Sequence, residues 1–263
     1  MPEKNNLKKA LILSMYPKEL SLDDKFKMAA DLGFQGMEVG PTSDPKEIED
    51  LKAASKKSGV PISSIIFGGW RAPLSSGDAN IYRQGMNDIK SGLKCAKELG
   101  AEVLLLVPGI VNASTRYKDA YERSQRRIKS LLPTAQKLGV VIAIENVWNN
   151  FLLSPLEFAR YVDEMKNPNL QAYFDVGNVV AFGWPEDWIR TLGKRIRAIH
   201  LKDFKRDGRQ WTNLRDGDVN WPEVRKALDE VGFKGYLTAE LSGGDESYLR
   251  DLSARIDRII AGE

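Results

Sequence analysis

Ile89-Lys90-Ser91-Gly92-Leu93-Lys94-Cys95-Ala96-Lys97-Glu98-Leu99-Gly100-Ala101-Glu102-Val103-Leu104-Leu105-Leu106-Val107 contains one complete structural unit. A helical pattern runs from Ile89 to Leu99 and stops at Gly100, a residue that accepts the left-handed conformation just past a helix. The apolar run from Glu102 to Val107 then reads as a strand covered on both faces, as in a parallel sheet. The same order recurs at Leu32-Gly33 before Gly36 to Val39, at Ser58-Gly59 before Val60 to Ile65, and at Leu138-Gly139, Leu192-Gly193 and Val231-Gly232. Asn167-Pro168-Asn169 introduces a further strand, Leu170 to Asp175, without a glycine, and Ala10 to Met15 supplies the first. The glycines are spaced by roughly 26 to 54 residues, too unevenly for a solenoid of identical repeats and natural for βα units with unequal loops. Eight strands, near residues 10, 36, 61, 102, 140, 170, 196 and 236, predict an α/β fold, a single (β/α)8 TIM barrel occupying 1–263 as one domain. An open doubly wound sheet is the competing architecture, and it lacks the glycine-rich phosphate loop expected after the first strand.

The 263 residues carry 39 basic and 36 acidic side chains, a formal charge of +3 spread along the chain. That balance gives no basic face for nucleic acid, although mild basicity suits an anionic small molecule. One cysteine, Cys95, excludes an internal disulfide and reads as a core filler in a reducing compartment. The polar start from Met1 to Lys9 and the short apolar run behind it do not read as an export signal, and no stretch is long enough to cross a membrane. A cytoplasmic location is the default expectation, with a removed export signal as the exception.

Four predicted strands carry polar groups at their carboxyl ends: Ile142-Ala143-Ile144-Glu145, Ala172-Tyr173-Phe174-Asp175, Leu237-Thr238-Ala239-Glu240, and Ile196 to Leu201 with His200, the only histidine. Strand alternation puts Glu145 on the face of Ala143 and Val141, and His200 on that of Ala198 and Ile196, so the inward column is expected to stay apolar up to the rim. A single acid at such a place is commonly a helix cap or ion-pair partner, and Asp175 before Val176-Gly177-Asn178 would also suit the start of a turn. Four such groups on neighbouring strands point instead to a shared divalent cation. Three carboxylates and one imidazole suit Mn2+ or Mg2+, admit Co2+ or Zn2+, and exclude a thiolate zinc site. Three anions around one dication leave net negative charge, which favours a neutral polyol as ligand.

The motifs Ile144-Glu145-Asn146, Phe174-Asp175-Val176-Gly177-Asn178, Ile199-His200-Leu201-Lys202-Asp203 and Ala239-Glu240 resemble those of the xylose isomerase-like superfamily of sugar isomerases and epimerases, over nearly the whole chain. The resemblance implies a metal, usually Mn2+, on Glu145, Asp175, His200 and Glu240, with both glutamates doubling as acid/base groups in ketose 3-epimerases. It also implies that Arg206, six residues past the histidine, holds substrate oxygens. Phe151 stands where free-ketose 3-epimerases carry a substrate-binding glutamate, and Asn178 where they carry a histidine; the latter is similar to the branch acting on ketose phosphates. Ser242-Gly243-Gly244, after the last strand, is a candidate phosphate loop. The endonuclease IV type of the superfamily needs several histidines, and true xylose isomerases need a second metal and a separate catalytic histidine; neither fits.

The expected activity is therefore proton transfer next to a carbonyl through an enediolate, with a sugar or sugar phosphate as partner. Two glutamates acting from opposite faces would epimerise, a single one would interconvert aldose and ketose, and loss of a β-substituent would make a dehydratase or lyase acting on a keto-sugar or inosose. A non-catalytic sugar-binding barrel is the reading from another class. Lys202 is expected to neutralise the enediolate or to pair with Asp203 or another acid, and Glu38, ending the second strand, to bind sugar hydroxyls or form an ion pair. Trp70, Trp148, Trp184 and Trp211 fall in βα loops where rings could wall a sugar, and Arg71 and Arg215 are candidate anion contacts. Association as a homodimer or homotetramer is the expectation for a barrel of this kind.

Overall fold

The computed structural model describes residues 7–263, so most of the polar start lies outside the described residues. Eight parallel strands close into a barrel in the order β1-β10-β7-β6-β5-β4-β3-β2. They are β1 (Leu7–Ile12), β2 (Gly36–Val39), β3 (Ile62–Gly68), β4 (Val103–Leu106), β5 (Val141–Glu145), β6 (Leu170–Asp175), β7 (Ile196–Leu201) and β10 (Gly235–Ala239). Each predicted strand is present within a few residues of its expected start. Between β7 and β10 the chain inserts an antiparallel hairpin, β8 (Asp203–Lys205) with β9 (Gln210–Thr212), which periodicity did not foresee.

Around the barrel lie α1 (Leu22–Asp31), α2 (Pro45–Ser58), α3 (Ala79–Leu99), α4 (Tyr117–Leu138), α5 (Pro155–Asp163), α6 (Val176–Val180), α7 (Pro185–Leu192), α8 (Trp221–Glu230) and α9 (Glu246–Ala261). Their starts follow local chemistry: side chains of Ser21, Asp44, Asp78, Ser154 and Asn220 accept hydrogen bonds from first-turn amides. Gly59, Gly100 and Gly139 cap α2, α3 and α4 in the left-handed conformation, as expected. Gly193 departs from it, with φ 55° and ψ −132°, because the chain turns there through a short 3-10 segment into β7.

The main core lies between strands and helices, where Phe26, Ile89, Ile128, Phe158 and Ile256 are buried together with the buried Cys95. Inside the barrel a smaller apolar layer of Val103, Leu105, Ala143, Tyr173 and Ala198 packs separately. The expectation of an apolar inward column is corrected above this layer. Glu38, Ser64, Tyr173 and Thr238 are all buried, and Tyr173 donates to Glu38 Oε2 at 2.8 Å and meets Thr238 Oγ1 at 3.5 Å. Among the described residues no helix is long and apolar enough to cross a membrane.

Candidate metal centre

Glu145 ends β5, Asp175 ends β6, His200 lies one residue before the end of β7, and Glu240 follows β10. These strands are consecutive around the barrel, so the two glutamates occupy the outer positions of an arc and the aspartate and histidine the inner ones. One ligand atom from each of the four lies within 4.8 Å of all the others. His200 Nδ1 faces this cluster, 3.0 Å from Glu145 Oε1 and 2.8 Å from Glu240 Oε2.

His200 is fixed from beneath. Its Nε2 is 2.7 Å from Glu38 Oε1, and Glu38, fully enclosed, also accepts from Ser64 and Tyr173. A carboxylate behind a ligating imidazole sets the tautomer that offers the other nitrogen to a metal. Of the two expectations for Glu38, a sugar contact or an ion pair, the structure shows the pairing, with His200, beneath the ring. Ser64, Tyr173 and Thr238 escaped the sequence reading because isolated hydroxyls in apolar strands carry no motif.

Asp175 serves two ends at once. Its Oδ1 accepts from the Asn178 amide at 2.7 Å and caps α6, as a turn-starting aspartate would, while Oδ2 turns to the cluster. Asn146 donates to the Asp175 carbonyl and accepts from its amide, both at 2.8 Å, and Asn178 Nδ2 donates to the Asn146 carbonyl at 2.9 Å. Asn178, expected at the substrate, instead ties the ends of β5 and β6 together. Gly177 is required for that closeness: a Cβ there would lie 2.4 Å from Lys202 Cβ.

Lys202 Nζ lies 3.2 Å from Asp175 Oδ2 and 2.7 Å from Glu240 Oε2, so it pairs with the cluster and not with Asp203. Neither of those two buried oxygens accepts a well-aligned hydrogen bond. Buried carboxylate oxygens held together by charge, without hydrogen-bond satisfaction, suit a divalent cation, and the all-oxygen-plus-imidazole donor set fits one.

The site's titration follows from crowding. Burial pushes Glu145 up to about 7 against the pull of its His200 hydrogen bond, and burial also raises Asp175. Burial opposes ionisation of Glu240 too, yet His200 and Lys202 hold it down to about 2. Burial alone would lower His200 and Lys202; the surrounding acids reverse this and raise both.

Other predicted contacts lie elsewhere. Arg206 donates through Nε to the Val180 carbonyl at 3.0 Å and through a terminal nitrogen to the Gly183 carbonyl at 2.9 Å, which turns it from the cluster. Trp70 and Arg71 line a separate cavity of about 490 Å3 beside Pro41, Phe67 and Asp88. Phe151 is buried among Tyr117, Tyr121 and Tyr161, with ring centroids 5.4, 6.1 and 5.8 Å away. Trp211 on β9 does reach the site's mouth, with Lys202 Nζ 5.6 Å from its ring centroid.

A family model described as xylose isomerase-like TIM barrel matches residues 26–258. The chain is 23% identical to L-ribulose-5-phosphate 3-epimerase UlaE of Escherichia coli K12 (DH10B) over 257 residues, covering 89% of this chain and 88% of that protein. Its fold is similar to that of D-psicose 3-epimerase from Clostridium cellulolyticum H10, with a TM-score of 0.82, 19% identity, and coverage of 96% of this chain and 98% of the other. It is likewise similar to 3-keto-D-glucoside 4-epimerase YcjR from E. coli, with a TM-score of 0.81, 15% identity, and coverage of 97% and 99%.

Proposed function

This chain belongs to the xylose isomerase-like TIM barrel family, and we propose that it is a divalent-metal-dependent sugar isomerase/epimerase, most specifically a ketose or ketose-phosphate 3-epimerase. The observation that carries the reading is the placing of two glutamates, Glu145 and Glu240, at the two ends of an arc whose inner members are Asp175 and His200. A cation held by these four residues, Mn2+ being the expected one, would supply Lewis acidity toward a sugar carbonyl and its neighbouring hydroxyl.

The residues themselves divide the rest of the work. A carboxylate must remove the hydrogen next to the carbonyl, and a second group must return a proton from the other face if the centre is to invert. Glu240 and Glu145, at the two ends of the arc, suit these two roles, one as base and the other as the group that returns the proton; the reverse reaction exchanges them. Lys202 places its ammonium next to Glu240, where it also meets negative charge developing on a substrate oxygen. The shared fold with a psicose 3-epimerase and the sequence likeness to a ribulose-phosphate 3-epimerase support the same assignment.

Incubation of the Mn2+-loaded protein with ketoses and ketose phosphates in D2O tests it. The expected result is one deuterium at the reacting carbon of an otherwise unchanged sugar, and Glu240→Gln should keep the fold while lowering turnover by at least about a hundredfold. Loss of water or of a glycosyl group would replace the epimerase by a lyase, and full activity in Glu240→Gln would remove that residue from the chemistry.

A further inference from the structure

We propose that the sugar this site takes is uncharged and extended: a keto sugar carrying a glycosidic group, which lies against Trp211 while the carbonyl end reaches Glu240. The inference rests on the epimerase reading and adds to it the class of sugar.

The space comes first. A cavity of about 600 Å3 opens between Glu240 and Lys202 on one side and Trp211, Thr212, Asn213 and Tyr248 on the other. Cavities of about 300–1,000 Å3 enclose ligands well beyond one sugar ring. A lone ketose at the glutamates would leave the Trp211 side uncovered.

The charge in this space disfavours a phosphate. Lys202 is the one cation among the described residues lining it, and its ammonium is already shared by Asp175 and Glu240. A phosphate dianion entering beside the Glu240 carboxylate would meet no second cation among the lining residues; Arg209, 6.0 Å from the Trp148 ring centroid, borders the indole pair without lining this space. Ser242 and Gly243 of the Ser242-Gly243-Gly244 loop line this space but bring no charge to it. The Gly244 amide donates to the Met15 carbonyl at 3.2 Å, and the Leu241 amide to Met15 Sδ at 3.4 Å. Gly243, at φ 79°, packs so closely on that segment that a Cβ would fall 2.3 Å from the Met15 carbonyl oxygen. The loop is thus shaped by packing on Met15. Arg215 lines a different cavity, with Asp216, Asp251 and Arg255.

The remaining wall is aromatic. Trp211 stacks on Trp148 with ring centroids 5.0 Å apart and planes 27° apart, and Phe204 supports both edge-on at 5.1 and 5.5 Å. Both indoles remain nearly half exposed, at 46% and 45%. Rings held this rigidly yet left open offer a platform for the C–H face of a pyranose or for an aromatic aglycone. Tyr248, its hydroxyl 3.0 Å from Asn213 Oδ1, and Thr212 add polar groups at the same end for further hydroxyls.

Titration calorimetry on the Mn2+-loaded protein decides the matter with three probes: D-fructose, D-fructose 6-phosphate, and lactulose, a ketose bearing a galactosyl group. Lactulose should bind about tenfold tighter than fructose, the phosphate no tighter than fructose, and Trp211→Ala should bring the lactulose-to-fructose ratio close to one. The proposal is overturned if the phosphate binds more tightly than fructose, if lactulose shows no advantage, or if that advantage survives Trp211→Ala. Deuterium exchange with the same probes reports separately on the epimerase reading. Exchange without a lactulose preference sinks the extended-sugar proposal alone, and a lactulose preference without exchange sinks the epimerase reading alone.

Discussion

A buried imidazole is useful as a ligand only when its second nitrogen has a partner, and here that partner is Glu38 at 2.7 Å from Nε2. The carboxylate is itself held by Ser64 and Tyr173, so the ring can neither flip nor tilt without breaking a buried hydrogen bond. Glu38→Gln preserves the shape but removes the charge that favours a proton on Nε2. Mn2+ affinity should fall by about 10- to 100-fold, the usual effect of losing such a support, while the far-ultraviolet circular dichroism stays unchanged. Calorimetric titration would check it, and an unaltered Kd would reduce Glu38 to a packing residue. The four proposed ligands were legible in the sequence because each lies at or next to the carboxyl end of a strand. For Glu38 an ion pair was legible only as one of two choices, since the same strand-end position also suits a sugar contact, and its partner was not, because only folding across 162 residues brings it under His200.

Two short elements turn the strand ends into a site. The five-residue α6 begins on Asp175 and draws Gly177 against Lys202; the β8–β9 hairpin carries Trp211 over the same edge. Both were illegible for physical reasons: three-residue strands are too short to show alternation, and α6 has no apolar stripe of helical period. What anchors the hairpin is Asp203. Its carboxylate accepts from the amides of Phe204, Arg215 and Val219 and from Trp221 Nε1 at 2.9, 2.7, 3.3 and 2.9 Å. Asp203→Ala would leave these buried donors without an acceptor, at a cost of roughly 2–4 kcal/mol. Thermal unfolding should register it as a Tm loss of about 2–4 °C for each kcal/mol. Lactulose affinity should suffer more than Mn2+ affinity, because the hairpin carries Trp211 and none of the four proposed ligands. A Tm within about 1 °C of the parent would show that the hairpin is held by something other than Asp203.

At the scale of the whole molecule, the barrel was legible because eight apolar runs separated by helical stretches admit few other closures, and the glycine caps marked most of the joints. Its polar interior was not, because burying charges inside a barrel follows from partners far apart in sequence, such as Tyr173 and Glu38, 135 residues apart. That interior should make stability depend jointly on metal and pH. Without metal, Glu145 holds its proton up to about 7 in the folded protein but only to about 4.5 when unfolded. Between those values the folded state binds more protons, so this group's contribution declines as pH rises from about 4.5 to about 7. Glu240, held down to about 2, acts oppositely: its contribution is fully present above the ordinary 4.5 and is lost as pH falls toward 2. Metal binding needs all three carboxylates ionised and the imidazole neutral, so affinity should rise with pH through about 7 as Glu145 ionises and go on rising above it as the acid-held proton leaves His200, with proton release. Mn2+ at a hundred times its Kd should then add about 2.7 kcal/mol of stability, and a fixed Mn2+ concentration should give a small Tm increase at pH 5 and a large one at pH 8. Asp175→Asn, which keeps the α6 cap through its remaining oxygen, should abolish most of the increase. Equal Mn2+ stabilisation at both pH values would mean that the cation binds somewhere other than among these four side chains.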